Sequence, residues 1–380
     1  FSDFKHPKAN KEELVINLNK LSENDVNSIE FTVNKRYIPD PNLPWIGTNF
    51  WKLFSEIETD VVFTWRGGRT EYPFCHIKKP IIEWNVFGFF DPTPNLFKSI
   101  AISPFCRQET IKNGISPNKT QVAFLPLNPF KSKLNLREEL NIADDEIVVG
   151  MHQRVEDTIY DTHALKAIKY VSLNSRKKIK ILFLGGSKKY KKFSNSLGLD
   201  GIFLDATQDY TFVSKFLNTL DIYTHARRDG ETLGAAIQEA MIHGLPVISH
   251  TSQWNAHIDT IGPGGLVCEN QSEYNKTLLK WVNNLKSTKN TFGVKGYNYA
   301  VKRYSWEVTL NIIESTFVMA KEMDLQNWKP ISLFIYNRRK HLYLIRFFLI
   351  KFSTFLLIKL FGQKGSRLLV KIKQAFLKIF

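Results

Sequence analysis

Read for apolar spacing, the chain falls into two series of short hydrophobic runs separated by helical stretches. "TDVVFTW" at 59–65, "KKPIIEWNVFG" around 80–86, "KSIAISPF" around 98–105 and "QVAFLPL" at 121–127 are compact and rich in β-branched and aromatic residues, which predicts strands. "SIEFTV" at 28–33 reads the same way. Residues 10–25 read as an amphipathic helix, and "TNFWKLFSEIE" as a second helix before the 59–65 strand. "NPFKSKLNLREELNIADD" at 128–145 mixes Pro, Asn and charge and predicts a linker. The alternation then restarts. "EIVVGMH" (146–152), "KIKILFLGG" (178–186), "GIFLDAT" (201–207), "DIYTHA" (221–226), "LPVISH" and "GGLVCEN" predict strands, with helical "THALKAIKYVSLN" and "YTFVSKFLNTL" between them. Strands alternating with helices imply an α/β chain with parallel sheets. The expected division is a first domain at 1–135, a second at 146–325 and a tail at 331–380.

Length agrees with that division, since 380 residues suit about two domains. A hydrophobic content of 43% allows a large core. Cys75, Cys106 and Cys268 form no CxxC pair, so a reducing compartment without a disulfide framework is expected. The chain starts at Phe1 without a basic and apolar leader, so no signal peptide is read, and the first domain is expected to lack its first strand.

Charge changes the picture only at one end. The net charge is +16, but twelve Lys and Arg residues and no acid lie between Lys329 and Phe380, and removing them leaves +4. The basicity belongs to the tail, and nucleic acid is not an expected partner. Within the tail, "HLYLIRFFLIKFSTFLLIKLF" (341–361) is nearly apolar enough to span a membrane, but Lys351 would sit at the bilayer centre. That costs about 2.5–3.5 kcal/mol, which an interfacial helix avoids by snorkelling. At 100° per residue Arg367, Lys371 and Lys378 fall within roughly 40° of one another, opposite Leu368, Ile372, Phe376 and Ile379. Two in-plane helices on an anionic leaflet are the preferred reading, with a span or a packed helical cap as alternatives.

The chemistry concentrates in "DGETLGAAIQEAM" at 229–241. This loop leaves the carboxyl end of strand "DIYTHA", where open α/β sheets bind ligands. The helix after Gly234 offers unsatisfied, positively polarised amides that suit a diphosphate. Glu239 lies in the helix's first turns and Glu231 in the loop. Two carboxylates beside a phosphate make sense if they hold hydroxyl groups on either side of it, as a nucleotide-sugar would present. An isolated pair at this spacing would more often be a cap and a solvated residue.

The run Gly230, Glu231, Gly234, Glu239, Ala240, Met241, Gly244, Pro246, Val247 and Ile248 resembles the donor-site signature of GT-B glycosyltransferases, specifically the retaining glycosyltransferase family 4. The resemblance covers roughly 146–320, including "YSWEVTLNII", which is similar to the family's closing helix. It implies two Rossmann-like domains facing across a cleft, a nucleotide-sugar donor and a glycan or lipid-linked acceptor. It further implies that Glu239 holds the ribose, that Glu231 faces the donor sugar, and that the amides of Thr232, Leu233 and Gly234 contact sugar or diphosphate. The family usually has glycine at the position of Thr232. The family's arginine after the first strand of this domain corresponds to Arg154, while the lysine expected a few residues on is absent from "VEDTIYD". Arg227, Arg228 or the lysines of "GGSKKYKK" are the other cations at hand. The missing lysine keeps open a non-catalytic sugar-nucleotide- or glycan-binding protein.

His225, His243, His250 and His257 surround the motif without zinc-type spacing and read as ordinary structural positions. No Asp-x-Asp motif is present, so no metal and no cofactor are expected. On the acceptor side, Arg66, Arg69 and Asn85 follow predicted strands and are candidate contacts. The expected setting is cytoplasmic, peripheral on the inner face of a membrane.

Overall fold

The computed structural model describes residues 58–68, 74–128 and 130–329, together with Phe54 and the backbone of two earlier strands. Those two strands, β1 (Glu13–Asn19) and β2 (Val26–Thr32), form an antiparallel pair in which Glu13 faces Thr32 and Asn19 faces Val26. The helix expected at 10–25 is therefore corrected to a strand over Glu13–Asn19, and residues 20–25 lie outside the described residues. Leu14, Ile16 and Leu18 alternate with period two, and pairing with β2 decides between the two periods. Of the helix expected at 48–58, only Phe54 falls within the described helical residues.

Four of the predicted strands form one parallel sheet in chain order: β3 (Val62–Arg66), β4 (Ile81–Asn85), β5 (Leu96–Ala101) and β6 (Thr120–Val122). Every residue of β4 is buried, the mark of a central strand covered on both faces. The second sheet contains β7 (Ile147–Gln153), β8 (Ile179–Gly185), β9 (Gly201–Leu204) and β10 (Ile222–Thr224), followed in the chain by β11 (Gly230–Glu231), β12 (Val247–His250), β13 (Trp254–Asn255) and β14 (Gly265–Cys268). Six of these form an all-parallel sheet in the order β14-β12-β10-β7-β8-β9, while β11 and β13 make a short parallel pair of their own. The chain runs outward from β7 to β9, then returns to place β10 on the other side of β7. At such a reversal, here at the carboxyl ends of β7 and β10, open α/β sheets bind their ligands.

Helices cover the larger sheet with apolar faces. Ala164, Leu165, Ala167, Ile168 and Val171 bury one face of helix His163–Asn174 at helical spacing. That helix packs beside helix Gln271–Asn283.

Two segments make packing contacts that the local pattern does not show. The stretch expected as a linker is docked on the second sheet's helices. The Ser132 and Leu136 amides donate to Ser214 Oγ and Thr219 Oγ1 at 2.8 Å each, and Leu136 and Ile142 join the larger core. The closing helix, Trp306–Lys321, packs on the first sheet instead of the second. Ile313 and Ala320 share a cluster with Ile82, Trp84 and Ile100, and Gln121 donates to Thr316 at 2.6 Å. Sequence patterning shows which face of a helix is apolar, not which sheet receives it.

No described helix is long and apolar enough to cross a membrane. The tail at 331–380 and Arg69 lie outside the described residues.

Candidate functional site

Both motif carboxylates lie beside the carboxyl ends of β7 and β10, where the strand order reverses. Gly230 makes the turn possible. Its φ is +76°, and a Cβ there would lie 2.1 Å from the Trp254 carbonyl oxygen, which β11–β13 pairing brings close. Gly234, with φ +97°, turns the chain into helix Ala235–Ile242 without a side-chain cap, so the first amides of that helix are left to other partners.

Glu231 receives side chains from both strand ends. Arg227 Nη1 lies 3.2 Å from each of its carboxylate oxygens, Gln153 Nε2 donates to Oε1 at 3.3 Å, and His225 Nε2 is 3.4 Å away. Arg227 is buried and also forks onto Asp229, at 3.0 Å from Nε and 2.7 Å from Nη2. Burial alone would lower its pKa, but Asp229 and Glu231 together raise it, so the cation is fixed in place. On its far side, His225 Nδ1 meets Ser249 Oγ at 2.7 Å.

Glu239 has a different holder. His152 Nε2, at the end of β7, sits 2.6 Å from Glu239 Oε2. A carboxylate only accepts, so Nε2 carries the proton. Tyr223 steadies the ring from β10, with its hydroxyl 3.1 Å from the His152 carbonyl and 3.2 Å from Nδ1. Glu239 keeps 29% of its side chain exposed, so a ligand can reach it.

The motif loop is also part of the contact between the two sheets. The Thr232 carbonyl accepts from Ser103 Oγ at 2.6 Å, and Leu233 is buried in the cluster built on Ile82, Trp84 and Ile100. Ser103 at the same time caps helix Pro104–Lys112.

The remaining expected residues fall elsewhere. Arg154 is exposed and pairs with Glu156 at 3.0 Å, so the structure does not bring its guanidinium to either carboxylate. Arg228 donates to the Tyr160 carbonyl at 3.3 Å, and Lys189 pairs with Asp157 at 3.4 Å. Arg66 and Asn85 are corrected as acceptor contacts, because both point inward. Arg66 lies 3.2 Å from Glu83 and 2.9 Å from Asp91, with all three side chains buried. Asn85 organises the loop after β4, accepting from Gly88 at 2.8 Å and donating to the Phe89 carbonyl at 2.8 Å. Phe87, 47% exposed and 6.3 Å from the Trp254 ring, stands at that loop's surface instead.

His152, Gln153, Arg227 and His225 form the immediate surroundings of the two carboxylates. Their signal in the sequence is position: they end or directly follow β7 and β10, the strands on either side of the reversal. Among the described residues, Asp161, His163 and His250 place ligand-capable atoms within 4.8 Å of one another. His243 Nδ1 donates to the Glu239 carbonyl at 2.7 Å, leaving Nε2 to accept from Ser214 at 2.7 Å, and burial lowers its pKa. The large groove of about 730 Å³ lined by Arg137, Glu146 and Asp221 lies at the opposite edge of the sheet. There Asp221 is tied to Arg137 at 2.9 Å, Lys289 at 2.6 Å and the Val148 amide at 2.8 Å, which reads as a structural lock.

Residues 132–298 match the family of glycosyl transferases group 1. No curated protein sequence gives a significant match. Solved structures share the fold at low identity. HepE of Anabaena, in complex with UDP and glucose, is 16% identical over 70% of this chain and 80% of its own, with a TM-score of 0.56. A glycosyltransferase from Rickettsia africae is 14% identical over 72% and 80%, with a TM-score of 0.58. WaaG, a glycosyltransferase involved in lipopolysaccharide biosynthesis, is 14% identical over 76% and 86%, with a TM-score of 0.56. With two parallel α/β sheets, a reversal of strand order in the larger one and these structural likenesses, the chain has the GT-B fold, and its residues 132–298 match glycosyl transferases group 1.

Proposed function

We propose that the protein transfers a sugar from a nucleotide-sugar to a lipid-linked or glycan acceptor, with retention of anomeric configuration, at the inner face of a membrane. The observation that carries the reading is the placement of Glu239 and Glu231 at the strand reversal, each held by side chains from the ends of β7 and β10. Glu239, oriented by His152, accepts the ribose hydroxyls. The amides of Leu233, Gly234 and Thr232 line the approach to the sugar and diphosphate. Glu231, pinned by Arg227, faces the sugar where positive charge develops at the anomeric carbon. In the absence of a ligand Arg154 rests on Glu156, and it turns to the departing diphosphate when the donor binds. The two-carboxylate arrangement of hydrolytic glycosidases is not implied, and the leaving group is assigned to Arg154 and helix amides without a metal ion.

HepE of Anabaena has been seen with UDP and with UDP-glucose, which supports a nucleotide-sugar donor. WaaG's part in lipopolysaccharide biosynthesis supports a lipid-linked acceptor. The acid-free stretch from Lys329 to Phe380, with its twelve basic residues, supports a peripheral site on an anionic leaflet. The test has two arms. Thermal shift against a panel of nucleotide-sugars, beginning with UDP-glucose, identifies the donor. Release of the matching nucleoside diphosphate is then followed with and without membranes. Binding without any release would favour the non-catalytic reading, which the missing lysine and the Arg154–Glu156 pair make specific.

A further inference from the structure

The loop that follows β7 ends at Asp161, and helix His163–Asn174 begins two residues later. His163 stacks on His250, the last residue of β12, with ring centroids 4.2 Å apart and planes 13° from parallel. Asp161 contacts His163 Nδ1 directly. All three side chains present ligand-capable atoms within 4.8 Å of one another. None of the three touches Glu231 or Glu239 in the contacts described above.

His250 supplies an independent observation. Its Nδ1 lies 2.8 Å from the Thr251 carbonyl, which can only accept, so Nδ1 carries the proton. The lone pair therefore sits on Nε2. That atom is buried and has no hydrogen-bond partner among the described residues, in a residue only 4% exposed. An imidazole whose Nδ1–H is fixed by a carbonyl and whose Nε2 is bare has the arrangement of a metal-ligating histidine. Asp161 and His163 keep 20% and 27% of their side chains exposed, leaving a path from solvent and room for a water ligand.

We propose that Asp161, His163 and His250 bind a divalent transition-metal cation of the zinc class. Two imidazoles and one carboxylate suit that class better than magnesium or calcium, which favour all-oxygen shells. The three ligands are 2 and 87 residues apart in the chain, a spacing that no sequence motif reveals. The ion would tie the loop bearing Arg154 to the end of β12, next to the Ala226 carbonyl that the Asp161 amide already meets at 3.2 Å. It is a positioning site, separate from the sugar-transfer step.

The test uses the full chain, stripped with a chelator and then titrated with Zn²⁺ alone by calorimetry, and with Co²⁺ followed by visible absorption. The proposal expects one equivalent of bound zinc, and a cobalt spectrum of four-coordinate type. His163→Ala and His250→Ala should each weaken zinc binding by at least about tenfold. Because His250 is buried, Asp161→Asn serves as the variant that keeps size and hydrogen bonding while losing the carboxylate, and it should weaken binding as well. Loss of the cobalt bands in Asp161→Asn with an unchanged circular dichroism spectrum would support the site. Absence of stoichiometric zinc in the wild-type chain, or full uptake by the His163→Ala/His250→Ala double variant, would overturn it and leave a stacked imidazole pair.

Discussion

Replacing Glu239 with alanine should weaken binding of the nucleoside diphosphate without unfolding the protein. Among the described residues the carboxylate has one hydrogen-bond partner, His152 at 2.6 Å, and it retains 29% exposure, so a ribose can take its remaining lone pairs. A hydrogen bond to a charged group contributes about 1.5–3 kcal/mol, which corresponds to an affinity loss of about tenfold to 150-fold. His152→Ala removes only the orienting contact. That contact reaches the ribose only through Glu239, so the loss should be smaller, about two- to tenfold. Because His152 acts through Glu239, the double variant should bind no worse than Glu239→Ala alone. Calorimetric titration of the wild type, both single variants and the double variant with UDP closes the cycle. Unchanged affinity in a folded Glu239→Ala protein would remove this residue from the ribose site. Strictly additive losses would show that His152 touches the nucleotide by a route of its own.

Glu231→Ala should lower turnover by about a hundredfold or more while changing nucleoside-diphosphate affinity little, as steady-state kinetics and titration together would show; equal losses would place Glu231 on the nucleotide. Gly230→Ala must accommodate a Cβ 2.1 Å from the Trp254 oxygen at positive φ, so urea unfolding should show destabilisation of at least about 2 kcal/mol. Burial lifts the Glu83 carboxyl from 4.5 to about 7, despite the adjacent Arg66, since Asp91 shares the same guanidinium. A folded-state pKa raised in this way gives stability that is full below pH 4.5 and lost as pH rises through 7, so thermal unfolding of Glu83→Gln should lack the decline the wild type shows across that window. Deleting residues 331–380 should release the protein from anionic liposomes in flotation while leaving nucleotide binding intact; flotation with neutral liposomes in high salt would instead favour a span.

The parts of this fold that were legible from sequence share one property: their signal is local. β7 and most of β8 are near-continuous apolar runs because both faces are covered, and glycine punctuation around 230–244 marks the loop and helix of the site. The 13–19 strand is not legible locally, because its apolar positions satisfy two periods at once and pairing with 26–32 decides between them. The contacts of Glu231 and Glu239 come from residues 78 and 87 positions earlier, such as Gln153 and His152, which only strand order brings near. Arg66 and Asn85 follow strand ends as acceptor contacts would, but Glu83, Asp91 and the Phe89 carbonyl draw both inward, and no local pattern announces a buried ion cluster.

Leu233 gives the donor loop a mechanical role. Its side chain is lodged among Ile82, Trp84 and Ile100 of the first sheet, while its neighbours Glu231 and Gly234 serve the second. Any motion that parts the two sheets has to withdraw that leucine into water, at about 1.5–3 kcal/mol. It must also break the Ser103–Thr232 bond. On the leucine alone, a parted form would be disfavoured by a factor of about 10 to 150. The backbone proposed to receive the donor sugar is thus the latch between the two halves, and on that proposal a donor that reshapes residues 231–234 acts on closure and on its own site in a single movement.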